Sequence, residues 1–354
     1  MRRYRVIQCG TGTAGREALR GIIDNPALEL AGLMVARPEN AGRGAGMLAG
    51  RGRTGVMATS SIDEIVAVDA DIVCYMMVVP KLDDICRLLA SGKDVVCTAG
   101  LIYPAWRAPE THQRLEAACA EGGTSFYVTG LNPGWVDEIL PLVMSSLCRD
   151  IERIDIREYA DCAKYPAPAL IFDVMGFGKT PEEIAGGAVP DMGVMTDFFS
   201  QAVAALGHGL GIELDDISQT REFALAPVDV AIDAGTVKAG TVAGQRWRWT
   251  GSVGGVPKIV QEAFWVVAFG LGPGWPEADP ARNDTQWQVT IEGSPSLRCT
   301  FEPRVSFKDT AEATFNPSGL ATAMAAVNSL VPVCEARSGL LTSIDLKLPR
   351  WRGA

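Results

Sequence analysis

The stretch Tyr4-Arg5-Val6-Ile7-Gln8-Cys9-Gly10-Thr11-Gly12-Thr13-Ala14-Gly15-Arg16-Glu17-Ala18-Leu19-Arg20 decides the fold. An apolar strand runs into a glycine turn, and the turn opens a helix. The G-x-G-x-x-G spacing after a strand is the fingerprint of a dinucleotide-binding βα unit. Gly10 allows the tight turn, Gly12 lets the backbone approach a pyrophosphate, and Gly15 lets the helix pack closely on the strand. The pyrophosphate then sits on the helix N-terminus, where unpaired N–H groups and the dipole favour negative charge. Gly10, Thr11, Gly12, Thr13, Ala14 and Gly15 are therefore the first cofactor-binding candidates.

Outward from this unit, strand and helix alternate. Strands are expected at 28–36, 56–59, 71–79, 94–98 and 124–129. Helical segments are expected at 61–68, 81–91 and 109–121, and a Gly/Arg-rich stretch fills 42–55. Apolar strands separated by helices imply an α/β fold with a Rossmann-type, doubly wound parallel sheet.

The pattern changes at Gly130-Leu131-Asn132-Pro133-Gly134. A helix is expected from about 134 to 148, and beyond it polar and apolar residues alternate at 153–159, 228–237, 246–251, 286–292 and 297–302. Alternation marks an antiparallel sheet with one wet face. With a long helix at about 196–211, this reads as a second α+β domain. A final helix at 318–330, stopped by Pro332, returns to the first domain. The expected division is 1–133 for dinucleotide binding, 134–317 for substrate and dimerisation, and 318–354 for the returning segment.

Composition narrows the function. The net charge of −10 argues against nucleic acid as a partner. No apolar run reaches about 18 residues, so no membrane span is expected. The first residues enter a strand directly, unlike a secretory signal. Nine cysteines show no C-x-x-C and no metal-like spacing, so a cytoplasmic location and no metal site are expected. Cys9, Cys74 and Cys97 fall in core strands as small hydrophobes. Only His112 and His208 exist, which leaves little for Ser-His-Asp chemistry. His112 opens a surface helix and is expected exposed; His208, among apolar neighbours, is expected structural.

The second strand bears on the choice of cofactor. NAD sites carry an Asp or Glu at its end, on the ribose hydroxyls. Here Arg37 stands there, and an arginine suits a 2′-phosphate. Arg43 follows in the next loop. NADP(H) is favoured; NAD(H) stays open because Glu39 is close. Carboxyl ends of parallel strands hold ligands, so Val79, Thr98 and Ala99 are assigned to the nicotinamide side.

The glycine turn, the Leu101-Ile102-Tyr103-Pro104 segment, the Asn132-Pro133-Gly134 turn, the helix with Ala205–Asp216 and the late Ala325-Ala326-Val327-Asn328-Ser329-Leu330-Val331-Pro332 carry a resemblance. The chain resembles the dihydrodipicolinate reductase-like superfamily, in its branch of native amine dehydrogenases and 2,4-diaminopentanoate dehydrogenases. The resemblance implies a Rossmann domain, a substrate domain, a returning C-terminal helix, a nicotinamide cofactor and a homodimer. It also implies an acidic pair before the Leu-x-Tyr-Pro segment, one glutamate of which handles ammonia in the amine dehydrogenase branch. Ala99 and Gly100 stand at those positions, with Thr98 before them. That departure favours a C=O or C=N reductase that needs no free ammonia.

Hydride transfer also needs a group that supplies or removes a proton. Asp161 is the preferred carboxylate, at the end of the first strand of the second domain with Glu158, Tyr159 and Tyr165. Tyr103 either donates a proton or packs. Asp137 and Glu138 either act at the site or stabilise a helix start. Asn132, Tyr165 and Lys179 are the substrate-binding candidates, Lys179 on the loop Gly176-Phe177-Gly178-Lys179-Thr180-Pro181. Trp247, Trp249, Trp265, Trp275 and Trp287 are read as core or dimer contact, or as an apolar pocket. The expected function is hydride transfer to or from a carbon bearing N or O in a small, largely apolar substrate. The rival is an NADP(H)-binding sensor or assembly protein without turnover.

Overall fold

The computed structural model describes residues 2–277, 285–306 and 316–348. The chain divides into two compact units, Met1–Trp135 with Val305–Ala354, and Val136–Arg304. Residues 349–354 of the expected returning segment lie outside the described residues.

The first unit is built on β1 (Tyr4–Cys9), β2 (Leu28–Met34), β3 (Ala58–Thr59), β4 (Ile72–Tyr75), β5 (Asp94–Cys97) and β6 (Ser125–Val128), with α1 (Thr13–Asp24) after β1. A strand at Gly339–Leu341 completes a seven-stranded sheet in the order Gly339–Leu341, β6, β5, β4, β1, β2, β3. All its pairings are parallel. Successive residues of β1 point to opposite faces. Val6 joins one core cluster with Cys74, Val96 and Tyr127. Ile7 joins the other with Val73, Tyr75 and Val95. Both faces are covered, so the strands are apolar throughout rather than alternating. Each fully buried Val, Ile or Leu contributes about 1.5–3 kcal/mol. Cys9, Cys74 and Cys97 are buried as read. Burial pushes the Cys74 and Cys97 thiols up to about 12, so they stay protonated.

The returning helix runs Pro317–Cys334, and its Ala323, Ala326, Val327, Leu330 and Val331 complete the first core cluster. By length and composition alone it is, among the described residues, the one helix apolar enough to cross a membrane, although Ser, Thr and Asn interrupt it. Its buried face places it in the protein core. Pro332 lies inside this helix rather than ending it. Only Val333 and Cys334 follow, so one backbone hydrogen bond is lost while the buried last turn keeps its packing.

The second unit holds β7 (Asp150–Asp161), β8 (Asp216–Leu225), β9 (Val230–Ile232), β10 (Gly235–Val237), β11 (Val242–Val253), β12 (Val256–Val266), β13 (Thr285–Ser294) and β14 (Leu297–Phe301). Six of them form a sheet in the order β14, β13, β7, β12, β11, β8. The pairings are antiparallel except β12 with β7, which is parallel. The strand expected at 228–237 is a two-stranded hairpin, β9 with β10, because the chain turns at Asp233-Ala234. β12 escaped the reading of the sequence because Ile259 to Phe264 are all buried, which erases alternation. The helix Phe198–Leu210 packs on one face, with Phe199 4.5 Å from Trp249 between ring centroids. Trp247 and Trp249 stack on that face at 6.1 Å. These two tryptophans are core.

Candidate dinucleotide site

β1 and α1 meet at a turn with a different constraint at each glycine. Gly10 has φ +99°, and a side chain there would run into the Met76 carbonyl oxygen at 2.5 Å. Gly15 closes on the Gly10 carbonyl. Both are required by the protein's own backbone. Gly12 differs: φ is −66°, ordinary for any residue, and a Cβ there would meet nothing within 4 Å. The protein leaves that space open. Gly12 is also the N-cap of α1, whose first turn has no side-chain cap and no acidic residue. The free N–H groups of that turn face no protein anion.

A groove of about 550 Å³ opens over this turn, lined by Gly10, Thr11, Gly12 and Thr13, by Arg16, Arg37 and Arg43, and by Met76 to Val78 on the β4 side. The rest of its wall is Ala36, Asn40, Met47 and Leu48, and no acidic residue lines it. Arg37 follows β2 and leads into the short turn Pro38–Asn40. Arg43 Nη1 donates to Asn40 Oδ1 at 2.8 Å, which aims it. Arg16 was missed from the sequence. Its signal was its place in the first turn of α1, where the dipole disfavours a cation unless an anion is bound.

The other cofactor candidates divide. Ala14 packs toward the core cluster, so only its backbone N–H faces the helix start. Val79 is not part of the groove wall, although it and Val78 are 72% and 93% exposed at the carboxyl end of β4. Thr98 and Ala99 lie just past β5 and outside the wall; the Thr98 N–H bonds Tyr75 O, and the Ala99 N–H points at Cys97 Sγ. Glu39 is exposed beyond the groove. In the same unit Tyr103 is half-buried, and burial raises its phenol above the ordinary value. Asn132 is half-buried beside a cis bond to Pro133, in the non-helical kink Asn132-Pro133-Gly134 that precedes the expected helix.

In the second unit, Asp137 and Glu138 are buried, at 1% and 3% exposure. Asp137 Oδ2 accepts from Gln261 Nε2 at 3.1 Å. Asp161 Oδ1 accepts the Ala163 N–H at 2.9 Å, capping the turn after β7. Tyr159 stacks on Phe264 at 5.3 Å, and Tyr165 packs on an apolar cluster with Phe172, Phe223 and Trp265. Lys179 is held through its backbone: its carbonyl accepts the Val242 N–H at 2.8 Å. His208 is exposed rather than packed in the core, because it falls in the last turn of its helix, past the fully buried run Phe199–Gly207. His112 is half-buried rather than exposed, with Nε2 3.3 Å from Glu116 and Nδ1 shut off from solvent. Among the described residues, no group of three His, Cys, Asp or Glu is arranged to hold a metal.

A parallel sheet with a glycine turn at its switch point, an open anion cradle and a cationic groove defines a Rossmann-type oxidoreductase. The chain belongs to the 2,4-diaminopentanoate dehydrogenase family: residues 135–352 match the model of the 2,4-diaminopentanoate dehydrogenase C-terminal domain. It is 32% identical to an amine dehydrogenase of Streptomyces virginiae over 96% of this chain and 95% of that one. It is 25% identical to a 2,4-diaminopentanoate dehydrogenase of Acetoanaerobium sticklandii over 99% and 95%. The solved amine dehydrogenase of Mycobacterium smegmatis has the same fold, with a TM-score of 0.75 over 99% of this chain and 97% of that one, at 19% identity. The chain is an enzyme of this nicotinamide-dependent dehydrogenase class.

Proposed function

We propose that the protein transfers a hydride between NADP(H) and a carbon bearing nitrogen or oxygen in a small substrate. The observation that carries the cofactor choice is the groove with Arg16, Arg37 and Arg43 and no acidic residue in its wall. Guanidinium groups match the 2′-phosphate of NADP(H), and the carboxylate that would favour NAD(H) is absent from that wall. Bound there, the cofactor supplies or accepts the hydride. The chain's own part is to orient it, through the free N–H groups of the first turn of α1 and the open space at Gly12.

Tyr103 is the proposed proton donor. Its raised phenol stays protonated in the neutral range, whereas Asp137 is tied to Gln261 and Asp161 caps a turn. Asp161 is the alternative, a half-buried carboxylate at the end of β7. Asn132, Tyr165 and Lys179 are the proposed substrate contacts. The half-buried Tyr165, Phe172, Phe223 and Trp265 suit a substrate with an apolar body. The resemblance of the 99–104 segment, with Ala99 and Gly100 in place of an acidic pair, favours reduction without free ammonia.

We also propose a homodimer. Arg246, Arg248 and Glu262 point to the sheet face away from Trp249 and the helix Phe198–Leu210. That half-buried charged face suits a second copy of the chain; light scattering after size exclusion checks it. Nine free cysteines suit a reducing, cytoplasmic setting. The test of the function is binding of NADPH and NADH to wild type and Arg37→Ala. NADPH should bind at least tenfold tighter than NADH, and the variant should lose that preference. Failure of both cofactors to bind overturns the reading.

A further inference from the structure

Gln8 of β1 is a fully buried amide that the reading so far leaves without a role. Its register partners are Leu33 on β2 and Cys74 on β4, both buried and apolar. Nε2 donates to the Gly10 carbonyl at 2.9 Å and, over a longer distance, to the Cys9 carbonyl at 3.3 Å. Both neighbours are oxygens that only accept, so the amide must turn its nitrogen to them. Oε1 is left shut off from solvent, with no donor among the described residues. An unpaired buried acceptor is costly, and a methionine of similar length would remove it. Filling space therefore does not account for an amide at this position.

The bonds around it show what the amide holds. The Gly10 N–H donates to the Met34 carbonyl at 2.8 Å, and the Cys9 carbonyl accepts the Met76 N–H at 2.8 Å. The neighbouring strands β2 and β4 thus fix the chain up to the Gly10 nitrogen. The Gly10 carbonyl, the next group along, has no donor but Gln8 among the described residues. Gly10 sits at φ +99°, and a glycine resists rotation of its peptide less than any other residue. Gln8 supplies the restraint that the strands do not.

We infer that Gln8 is a positioning residue for the cofactor: it sets the Gly10–Thr11 peptide so that the Thr11 N–H faces the pyrophosphate. The Gly10–Thr11 bond is trans, and the carbonyl and N–H of a trans peptide point opposite ways. Gln8 draws the carbonyl in beneath α1, where Nε2 lies 3.6 Å from the place of a Gly15 Cβ. The Thr11 N–H is then turned out, to the side on which Gly10, Thr11 and Gly12 line the groove. Among the described residues no protein acceptor takes that N–H. A pyrophosphate oxygen would take it as a charge-assisted bond. Without the amide the peptide can turn over and present its carbonyl, a negative end, to the same anion. The inference rests on the dinucleotide reading and deepens it. It concerns the pyrophosphate that NADPH and NADH share, whereas Arg37 concerns the 2′-phosphate.

The test is the binding of NADPH, NADH and adenosine 2′-monophosphate, which has no pyrophosphate, to full-length wild type and Gln8→Met. The variant should weaken both dinucleotides by the same factor, about tenfold, the scale of one hydrogen bond to a charged group. Adenosine 2′-monophosphate should bind as it does to wild type. Equal weakening of all three ligands marks a merely structural residue and overturns the proposal, as does unimpaired binding of the dinucleotides. A second measurement needs no variant. In isotope-labelled wild type the Thr11 amide proton should shift downfield in NMR spectra on addition of NADPH, and an unmoved signal overturns the proposal. If wild type binds NADPH and NADH alike and Gln8→Met weakens both, the cofactor choice falls and the role of Gln8 stands. If wild type prefers NADPH and Gln8→Met binds both as before, the reverse is true. Binding of neither cofactor to wild type overturns both.

Discussion

A Cβ placed on Gly15 would lie 2.5 Å from the carbonyl oxygen of Gly10, closer than real Cβ atoms approach. α1 therefore sits on the turn at a distance only glycine allows. At Gly12, two residues from Gly10 in the same turn, a Cβ would touch nothing. Packing requires the first glycine, and no contact within the protein requires the second.

The two therefore separate stability from binding. Gly15→Ala should lower stability by about 1–3 kcal/mol, the usual cost of overpacking. Gly12→Ala should leave the melting temperature within about 2 °C, since its φ is ordinary and such a surface change is worth at most about 0.5 kcal/mol. It should nevertheless weaken NADPH at least tenfold. Thermal denaturation and NADPH fluorescence on both variants check this. Unimpaired NADPH binding by Gly12→Ala would remove the argument for a pyrophosphate there.

Arg16 and Arg37 line the same groove from different elements, so their variants should differ. Arg16→Ala, next to the helix N-terminus, should weaken NADPH and NADH alike by roughly three- to tenfold, the range of one exposed charge-assisted contact. Arg37→Ala should weaken NADPH only. Raising the salt concentration should reduce the NADPH preference of wild type, because these guanidiniums are exposed and screened.

Glu262 is 2% exposed and bonded by Arg157, Arg246 and Arg248. Burial alone would raise its carboxyl, but the three guanidiniums outweigh this and hold it below the ordinary value. A lowered folded pKa means the stability is fully present above the unfolded value, near pH 4.3, and is lost as pH falls through the lower folded value. Glu262→Gln should therefore cost about 2–3 kcal/mol at pH 7, less than a fully buried pair because the arginines are partly solvated. The gap should narrow toward pH 3. Urea denaturation across pH measures it.

Ammonia use is tested at Ala99, since Gly100 has φ +57° and would strain any side chain. Wild type should reduce its carbonyl substrate at the same rate with and without ammonium. Ala99→Glu should add ammonium-dependent amine formation. Product analysis by mass spectrometry decides, and failure of amine to appear would discard the missing glutamate as the explanation.

The strand–turn–helix opening, the parallel sheet and the arginines after β2 were legible because they rest on local chemistry. Glycine spacing, apolar runs and a charge at a strand end are properties of neighbouring residues. The second sheet was only half legible. β12 is buried on both faces and carries no alternation, while β8 alternates but hides it behind Gln219 and Arg221. The helix end at Pro332 was misread because packing of a buried last turn outweighs one missing hydrogen bond.

The sequence by itself determined that a glycine turn joins strand to helix near Gly10–Gly15 and which residue types line the groove beside it. Only the tertiary structure decided which charges meet. Arg157 and Glu262 are 105 residues apart in the chain and bonded across a parallel strand pair. Arg221, two strands from β12 in the same sheet, meets two rings and an amide instead of a carboxylate. Long-range strand register sets those pairings. Register depends on which faces are buried by the assembled sheet, which no local stretch of sequence contains.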